Sequence, residues 1–138
     1  MTETQRLKKI LRVWFNGYIR KRDADKPCIS CGQRRKLEAG HYWSTSQCPQ
    51  PAMVFCEENV HGQCGHCNRW LEGNRQGYTQ GLIKRYGPEI LELLDIKRSV
   101  KQNPWTIFEY ETMIKLYKQK FKNDEVKNAS VSSTRTKP

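Results

Sequence analysis

The first patterned stretch runs over residues 3–22. Leu7, Ile10, Leu11, Trp14, Phe15, Tyr18 and Ile19 recur there at three- and four-residue steps, the period of an α-helix with one apolar face. Thr2 and Gln5 stand at capping-box spacing at its start. Lys8, Lys9, Arg12, Arg20, Lys21 and Arg22 fall largely off the stripe, either as a solvated basic face or as a face that contacts DNA. Asp23 to Pro27 reads as a linker, because Pro27 disfavours helix at Lys26. Arg34 to Tyr42 is strand-like and ends in Gly40-His41-Tyr42, with Val54 to Cys56 and Val60 to Gln63 as the returning segment. Gln47 to Pro51 is a loop on its prolines. A helix is expected from near Asn68, interrupted by Gly73 and Gly77. Two short helices, Tyr78 to Tyr86 and Pro88 to Ile96, are divided by Gly87, with Pro88 suited to a helix start. Trp105 to Phe121 carries a broad apolar face and reads as a further helix. Residues 124–138 are polar and lack aromatics, the composition of a disordered tail. The pattern predicts an α+β chain that is mostly helical.

Charge adds a partner to this picture. The 138 residues include 25 Lys+Arg against 14 Asp+Glu, a formal charge of +11, and the mean hydropathy is −0.87. Such basicity points to an anionic partner, most often nucleic acid. The excess is uneven: +5 over residues 1–27, +1 over 28–75, +2 over 76–103 and +3 over 104–138. No apolar run approaches the ~20 residues of a membrane span. The N-terminus shows no basic stretch followed by an apolar one, so a cytoplasmic protein without membrane partners is expected.

The near-neutral middle holds all six cysteines and all three histidines. Cys28-Ile29-Ser30-Cys31 and Cys64-Gly65-His66-Cys67 form a C-x2-C…C-x2-C set. Four thiolates so paired can close a tetrahedron around Zn²⁺. A disulfide framework is the rival, disfavoured in a reducing compartment, and a redox C-x2-C is disfavoured by the presence of two such pairs. Cys48 and Cys56 lack knuckle spacing and read as reduced thiols near the core. His66 reads as an exposed spacer inside its knuckle. Between the knuckles lie His41 and Asn59, and Asn68 directly follows Cys67.

That order resembles the HNH, or ββα-metal, endonuclease motif. The Asn after the last zinc cysteine is similar to phage nucleases of the endonuclease-seven type. A closer resemblance is to the phage NinG/Rap recombination proteins. It rests on Cys28-Ile-Ser-Cys31-Gly32, Ala39-Gly40-His41-Tyr42, Glu58-Asn59-Val60-His61-Gly62-Gln63-Cys64, Cys67-Asn68-Arg69, Gly73-Asn74 and the run Tyr78 to Gly87, and it covers about residues 26–97.

The resemblance implies a zinc-knuckle ββα-metal (His-Me finger) core over 28–75; the residue pattern places a basic amphipathic helix and linker over 1–27 and a helical part over 76–123 on either side of it. It implies His41 as the base that activates water, Asn59 as the residue that shapes the end of the first strand, and Asn68 as ligand of a catalytic Mg²⁺ or Mn²⁺. Zn²⁺ on Cys28, Cys31, Cys64 and Cys67 would be structural. It further implies cutting of branched DNA such as Holliday junctions; paired cuts on symmetric strands would call for a homodimer, with the first and last helices as candidate dimer elements.

One position departs from the motif. Where many such enzymes have Asp or His before the base, this chain has Gly40. Glu38, on the same strand face, is the first substitute for that metal ligand, followed by His61 and Glu72. His61 reads equally as a phosphate contact or as packing under the hairpin. Arg69, Arg75, Lys8 and Arg12 are candidate DNA contacts. Trp70 reads as core in preference to a base-stacking residue. Two rival functions fit the same residues: a non-enzymatic zinc-stabilised DNA-binding protein, and an HNH nuclease of linear duplex.

Overall fold

The computed structural model describes the backbone of residues 1–135 and the side chains of residues 1–123. The tail expected over 124–138 falls on residues whose side chains, and from 136 whose backbone, lie outside the described residues. The chain divides into two compact units, one of Met1–Arg22 with Trp105–Pro138 and one of Asp23–Pro104.

The first unit consists of α1 (Glu3–Arg22) and α5 (Ile107–Arg135). The capping box opens α1: Gln5 N–H donates to Thr2 Oγ1 at 3.2 Å and Thr2 N–H to Gln5 Oε1 at 2.8 Å. Its four-residue ladder Leu7, Leu11, Phe15 and Ile19 is buried, as are Tyr110, Ile114 and Tyr117 of α5. Phe15 meets Tyr117 edge-on at 4.9 Å between ring centroids. Each such side chain removed from water stabilises by about 1.5–3 kcal/mol. The last helix starts later than Trp105 because Thr106 caps it. Glu109 N–H donates to Thr106 Oγ1 and Thr106 N–H to Glu109 Oε1, both at 3.2 Å.

The second unit is built around a two-stranded antiparallel hairpin, β1 (Leu37–His41) and β2 (Val60–Cys64). Leu37 pairs with Cys64, Gly40 with His61 and His41 with Val60. The first strand is shorter than the expected Arg34 to Tyr42, since β2 offers only five partners. The segment expected to return as a strand at Val54 to Cys56 is not a strand: Val54 ends α2 (Pro51–Val54), which starts at Pro51, and Phe55 and Cys56 form the turn and link that follow it. A 3₁₀ turn, Glu57–Asn59, then leads into β2.

After the second knuckle comes a π turn, His66–Trp70. Glu72, Gly73 and Asn74 follow with φ of +49°, +94° and +36°. Asn74 caps α3 (Arg75–Tyr86) by accepting from Gly77 N–H at 3.3 Å. The helix expected from Asn68 is therefore split into a π turn and a new start at Arg75. Gly87 separates α3 from α4 (Glu89–Ser99).

Ile29, Tyr78, Leu82 and Leu94 make the core of this unit, with Tyr42, Trp43, Ile90 and Leu91 packed against it. Gly77 and Gly81 lie where a Cβ would run into the carbonyls of Ser30 and Ile29. Their bare face lets α3 lie against the first knuckle. Asp23, expected in a linker, is wholly buried, and its Oδ2 accepts from Gly62 N–H at 2.8 Å. It pins β2 from outside the sheet.

Candidate metal centre and adjoining cleft

The ends of the hairpin bring the two knuckles together. The Sγ atoms of Cys28, Cys31, Cys64 and Cys67 all lie within 4.8 Å of one another, and those of Cys31 and Cys64 are 3.9 Å apart. A Zn–S bond of ~2.3 Å in a tetrahedron requires sulfurs about 3.8 Å apart; a disulfide would hold two of them at ~2.05 Å. The donor set therefore fits a closed metal site. Backbone amides aim at the sulfurs: Ser30 and Cys64 N–H at Cys28 Sγ (3.4 and 3.3 Å) and Cys67 N–H at Cys64 Sγ (3.5 Å). At Cys28, burial opposes ionisation, but the amides of Cys64, Cys31 and Ser30 outweigh it and hold the thiol down to about 7. Burial, with its neighbouring thiols, pushes Cys67 up to about 12. A bound cation is what would let all four ionise together. Cys48 and Cys56 are buried and outside this group. Burial and the Glu58 carboxylate keep the Cys56 thiol above its ordinary range.

His41 closes β1. Its Nε2 lies 2.8 Å from the carbonyl oxygen of Val54, the last residue of α2. A carbonyl only accepts, so Nε2 carries the proton and the lone pair of the neutral ring belongs to Nδ1. The backbone after His41 is held by Asn59, which is completely buried. Asn59 Oδ1 accepts from Trp43 N–H at 2.8 Å, and its Nδ2 donates to the carbonyls of Trp43 (3.1 Å) and Met53 (3.0 Å). One amide thus ties the strand end to the helix that supplies the Val54 carbonyl. On the other side, Tyr78 Oη donates to the Gly40 carbonyl at 2.8 Å and sits 3.0 Å from His61 Nδ1.

In the antiparallel register, directly opposed residues share a face and successive residues alternate. His41 and Val60 therefore project from one face, and Glu38, Gly40, His61 and Gln63 from the other. This places the candidates for the second metal ligand. Gly40 has no side chain because Gln63 fills that space: a Cβ at 40 would fall inside the Gln63 side chain. Gln63 is wholly buried and ties Ser30 Oγ (2.8 Å) to the Gly73 carbonyl (2.6 Å).

A cleft of about 340 Å³ opens on the His41 face, lined by His41, Tyr42, Asn68, Glu72, Gly73 and Arg75 together with the loop 44–47. His41 and Asn68 are brought together. Asn68 Nδ2 donates to Glu38 Oε1 at 2.9 Å, which leaves its carbonyl oxygen as the ligand atom it can offer. Glu38 and His61 do not line the cleft. Glu38 is engaged by Asn68 and by Arg69 Nη2 at 2.9 Å. His61 is buried against Tyr78, the packing role among its three readings. Glu72 is the carboxylate that does line the cleft.

Arg75 donates to the Tyr42 carbonyl at 3.0 Å and lies over the Tyr42 and Trp43 rings at 4.3 and 4.0 Å. Lys8 and Arg12 border a shallow groove on the helical unit, with Met1, Gln5 and Lys9. Trp70 corrects the expectation of a core residue. It is 81% exposed, at the end of the π turn His66–Trp70.

Comparison with known proteins places the chain. The family profile described as "Bacteriophage Lambda NinG protein" matches residues 2–127. The chain belongs to the NinG family. It is 40% identical over 110 residues to Protein ninG of Escherichia phage lambda, covering 78% of this chain and 52% of that protein. Protein ninG of Salmonella phage P22 matches at 40% with the same coverage, and that of Escherichia phage 933W at 39%, with 53% of its length covered. The chain spans about half the length of the curated relatives it matches. No solved structure matches. Among the described residues no helix is long and apolar enough to cross a membrane.

In this NinG-family chain, sequence reasoning missed the residues that hold the cleft: Tyr78, Gln63 and the Val54 carbonyl. A tyrosine one helix away and a backbone oxygen leave no spacing signal. Gly40 was the one visible hint, since a glycine before a candidate base implies that something else needs the space.

Proposed function

We propose that the protein is a metal-dependent, structure-selective DNA endonuclease that acts on branched recombination intermediates such as Holliday junctions. The observation that carries this reading is the pairing of His41 with Asn68 across one cleft, with the His41 tautomer set by the Val54 carbonyl. In the neutral ring so oriented, Nδ1 is the nitrogen that can take a proton. Asn59 and Tyr78 hold the backbone on both sides of it, so the ring is positioned before substrate arrives.

The NinG membership and the order His41, Asn59, Asn68 around the knuckles support a likeness to HNH cores. Asn68 Oδ1 and the Glu72 carboxylate are hard oxygen donors suited to Mg²⁺ or Mn²⁺ and are the residues that would hold it. When bound, that cation supplies charge neutralisation of the phosphodiester and of its leaving oxygen. His41 takes the proton of the attacking water. Arg75, fixed over Tyr42 and Trp43, and Arg69 present positive charge to the backbone. Zinc held by the four cysteines would have its ligand positions filled by the chain and would serve the fold. Two symmetric cuts call for a two-fold dimer presenting two His41 clefts.

The test is cleavage of a labelled four-way junction, a flap and a linear duplex at fixed salt, with Mg²⁺ or Mn²⁺. Junction cutting is expected, with His41→Ala lowering the rate by roughly 10²–10⁴ while junction binding is retained. Binding without any cutting would leave a zinc-stabilised DNA-binding protein in its place. Equal cutting of duplex would indicate a linear-DNA nuclease.

A further inference from the structure

The chain has four tryptophans, and three are packed. Trp14 meets Phe121 at 5.6 Å, Trp105 meets Tyr110 at 5.4 Å, and Trp43 is flanked by the Arg75 and Arg98 guanidiniums at 4.0 and 4.2 Å. Trp70 is 81% exposed, and Leu71 beside it is 48% exposed. An indole left in water forgoes the burial that its large apolar face would otherwise gain.

The segment carrying it is over-determined. Leu71 N–H donates to the His66 carbonyl and Gly73 N–H to the Cys67 carbonyl, both at 2.9 Å. Asn74 Nδ2 reaches Cys67 Sγ at 3.3 Å. Glu72 and Asn74, on either side of Gly73, hold positive φ, a conformation that a non-glycine residue keeps only where its surroundings enforce it. The turn starts at the zinc knuckle, so the indole is presented on an anchored support. Asn68, two residues before it, and Glu72, two residues after it, both line the His41 cleft. Arg69 beside it is 71% exposed and tethered by Glu38.

We infer that Trp70 is a stacking platform for an unpaired nucleobase of the bound DNA, placed next to the His41 cleft. An aromatic face with an adjacent guanidinium is the chemistry that holds bases without reading their sequence. In a continuous duplex each base is already stacked on both faces, so this contact favours DNA with unpaired bases or with bases whose stacking is broken at a branch point. Selection of branched over linear DNA thus acquires a residue. The inference rests on the reading of DNA as the ligand and not on cutting.

The experiment measures binding of the whole 138-residue chain, loaded with zinc, with no Mg²⁺ or Mn²⁺ added and at one salt concentration. The probes are a single-stranded oligodeoxynucleotide carrying 2-aminopurine and the duplex of the same sequence. Base–aromatic stacking corresponds to about 5- to 150-fold in affinity per base. Trp70→Ala is expected to weaken single-strand binding by about tenfold or more, to leave duplex binding within about twofold, and to abolish the 2-aminopurine fluorescence change. Trp70→Phe is expected to keep most of the effect. Zinc content and circular dichroism establish that each variant is folded. Equal losses on both DNAs, no loss on either, or self-association that depends on Trp70 while DNA binding does not, each overturns the inference. Absence of cutting in the junction assay with this binding pattern intact would overturn the nuclease reading alone.

Discussion

The cysteine centre and the His41 cleft share one hairpin and are built on opposite principles. At the centre, four side chains of one kind converge within 4.8 Å, and each carries its own chemistry. At the cleft, His41 is held by backbone: the Val54 carbonyl orients its ring, while Asn59 and Tyr78 grip the carbonyls and amide on either side. The first arrangement tolerates movement of the surrounding chain as long as four sulfurs can meet. The second depends on where the segment between the strands folds. A metal centre of this type sets stability, and a backbone-held cleft sets geometry.

Removing a ligand attacks the centre with the largest expected effect. Apparent zinc-binding free energies in small structural sites are about 10–16 kcal/mol, comparable with or larger than the ~5–15 kcal/mol that stabilises a typical domain. Cys64→Ser, which alters the end of β2, is expected to lose bound zinc and amide protection across Asp23–Pro104. Metal analysis with hydrogen exchange on the intact chain checks it. Full zinc occupancy, or a zinc-free chain with unchanged protection, would break the contrast between centre and cleft.

The same contrast explains what could be read beforehand. The C-x2-C pairs were legible because knuckle geometry fixes ligand spacing along the chain. The stripe of α1 was legible because burial follows the helical period, and Leu7, Leu11, Phe15 and Ile19 obey it. Asp23 was not: a buried carboxylate that caps a strand amide 39 residues away resembles any turn aspartate in sequence. Nor was the split at Asn68 to Asn74, where a π turn and three left-handed residues replace a continuous helix. Trp70, expected in a core, stands at the end of that π turn and is exposed. Glu72 lines the cleft and Glu38 does not; alternation along β1 already sets Glu38 and His41 on opposite faces, whereas the turn that carries Glu72 to the cleft shows in no local pattern.

Asn59→Ala tests the cleft's dependence on a single amide. The substitution leaves Trp43 N–H and the Trp43 and Met53 carbonyls without their partner in a buried setting. Each buried group so stranded costs about 1–3 kcal/mol, less where water enters the space. A loss of about 3 kcal/mol is expected, read as a lower urea midpoint at unchanged slope. Zinc content should be retained, because no cysteine partner is touched. A variant as stable as the parent would mean that the loop after His41 is held by other groups.

The smallest effect is expected at Glu38, and it decides which carboxylate serves the cleft. Its ion pair with Arg69 is exposed, with side-chain accessibilities of 36% and 71%, and pairs of this kind contribute about 0–1 kcal/mol. Glu38→Gln keeps an oxygen that can accept from Asn68 Nδ2 and removes only the charge. Stability should fall by under about 1 kcal/mol, and junction cutting by under about fivefold. Glu72→Gln, on a residue lining the cleft, should instead raise the Mg²⁺ concentration needed for half-maximal cutting. If Glu38→Gln shows that metal dependence and Glu72→Gln does not, the ligand lies behind the sheet. The cation would then be reached through the Asn68–Glu38 contact at the strand edge rather than from the face His41 occupies.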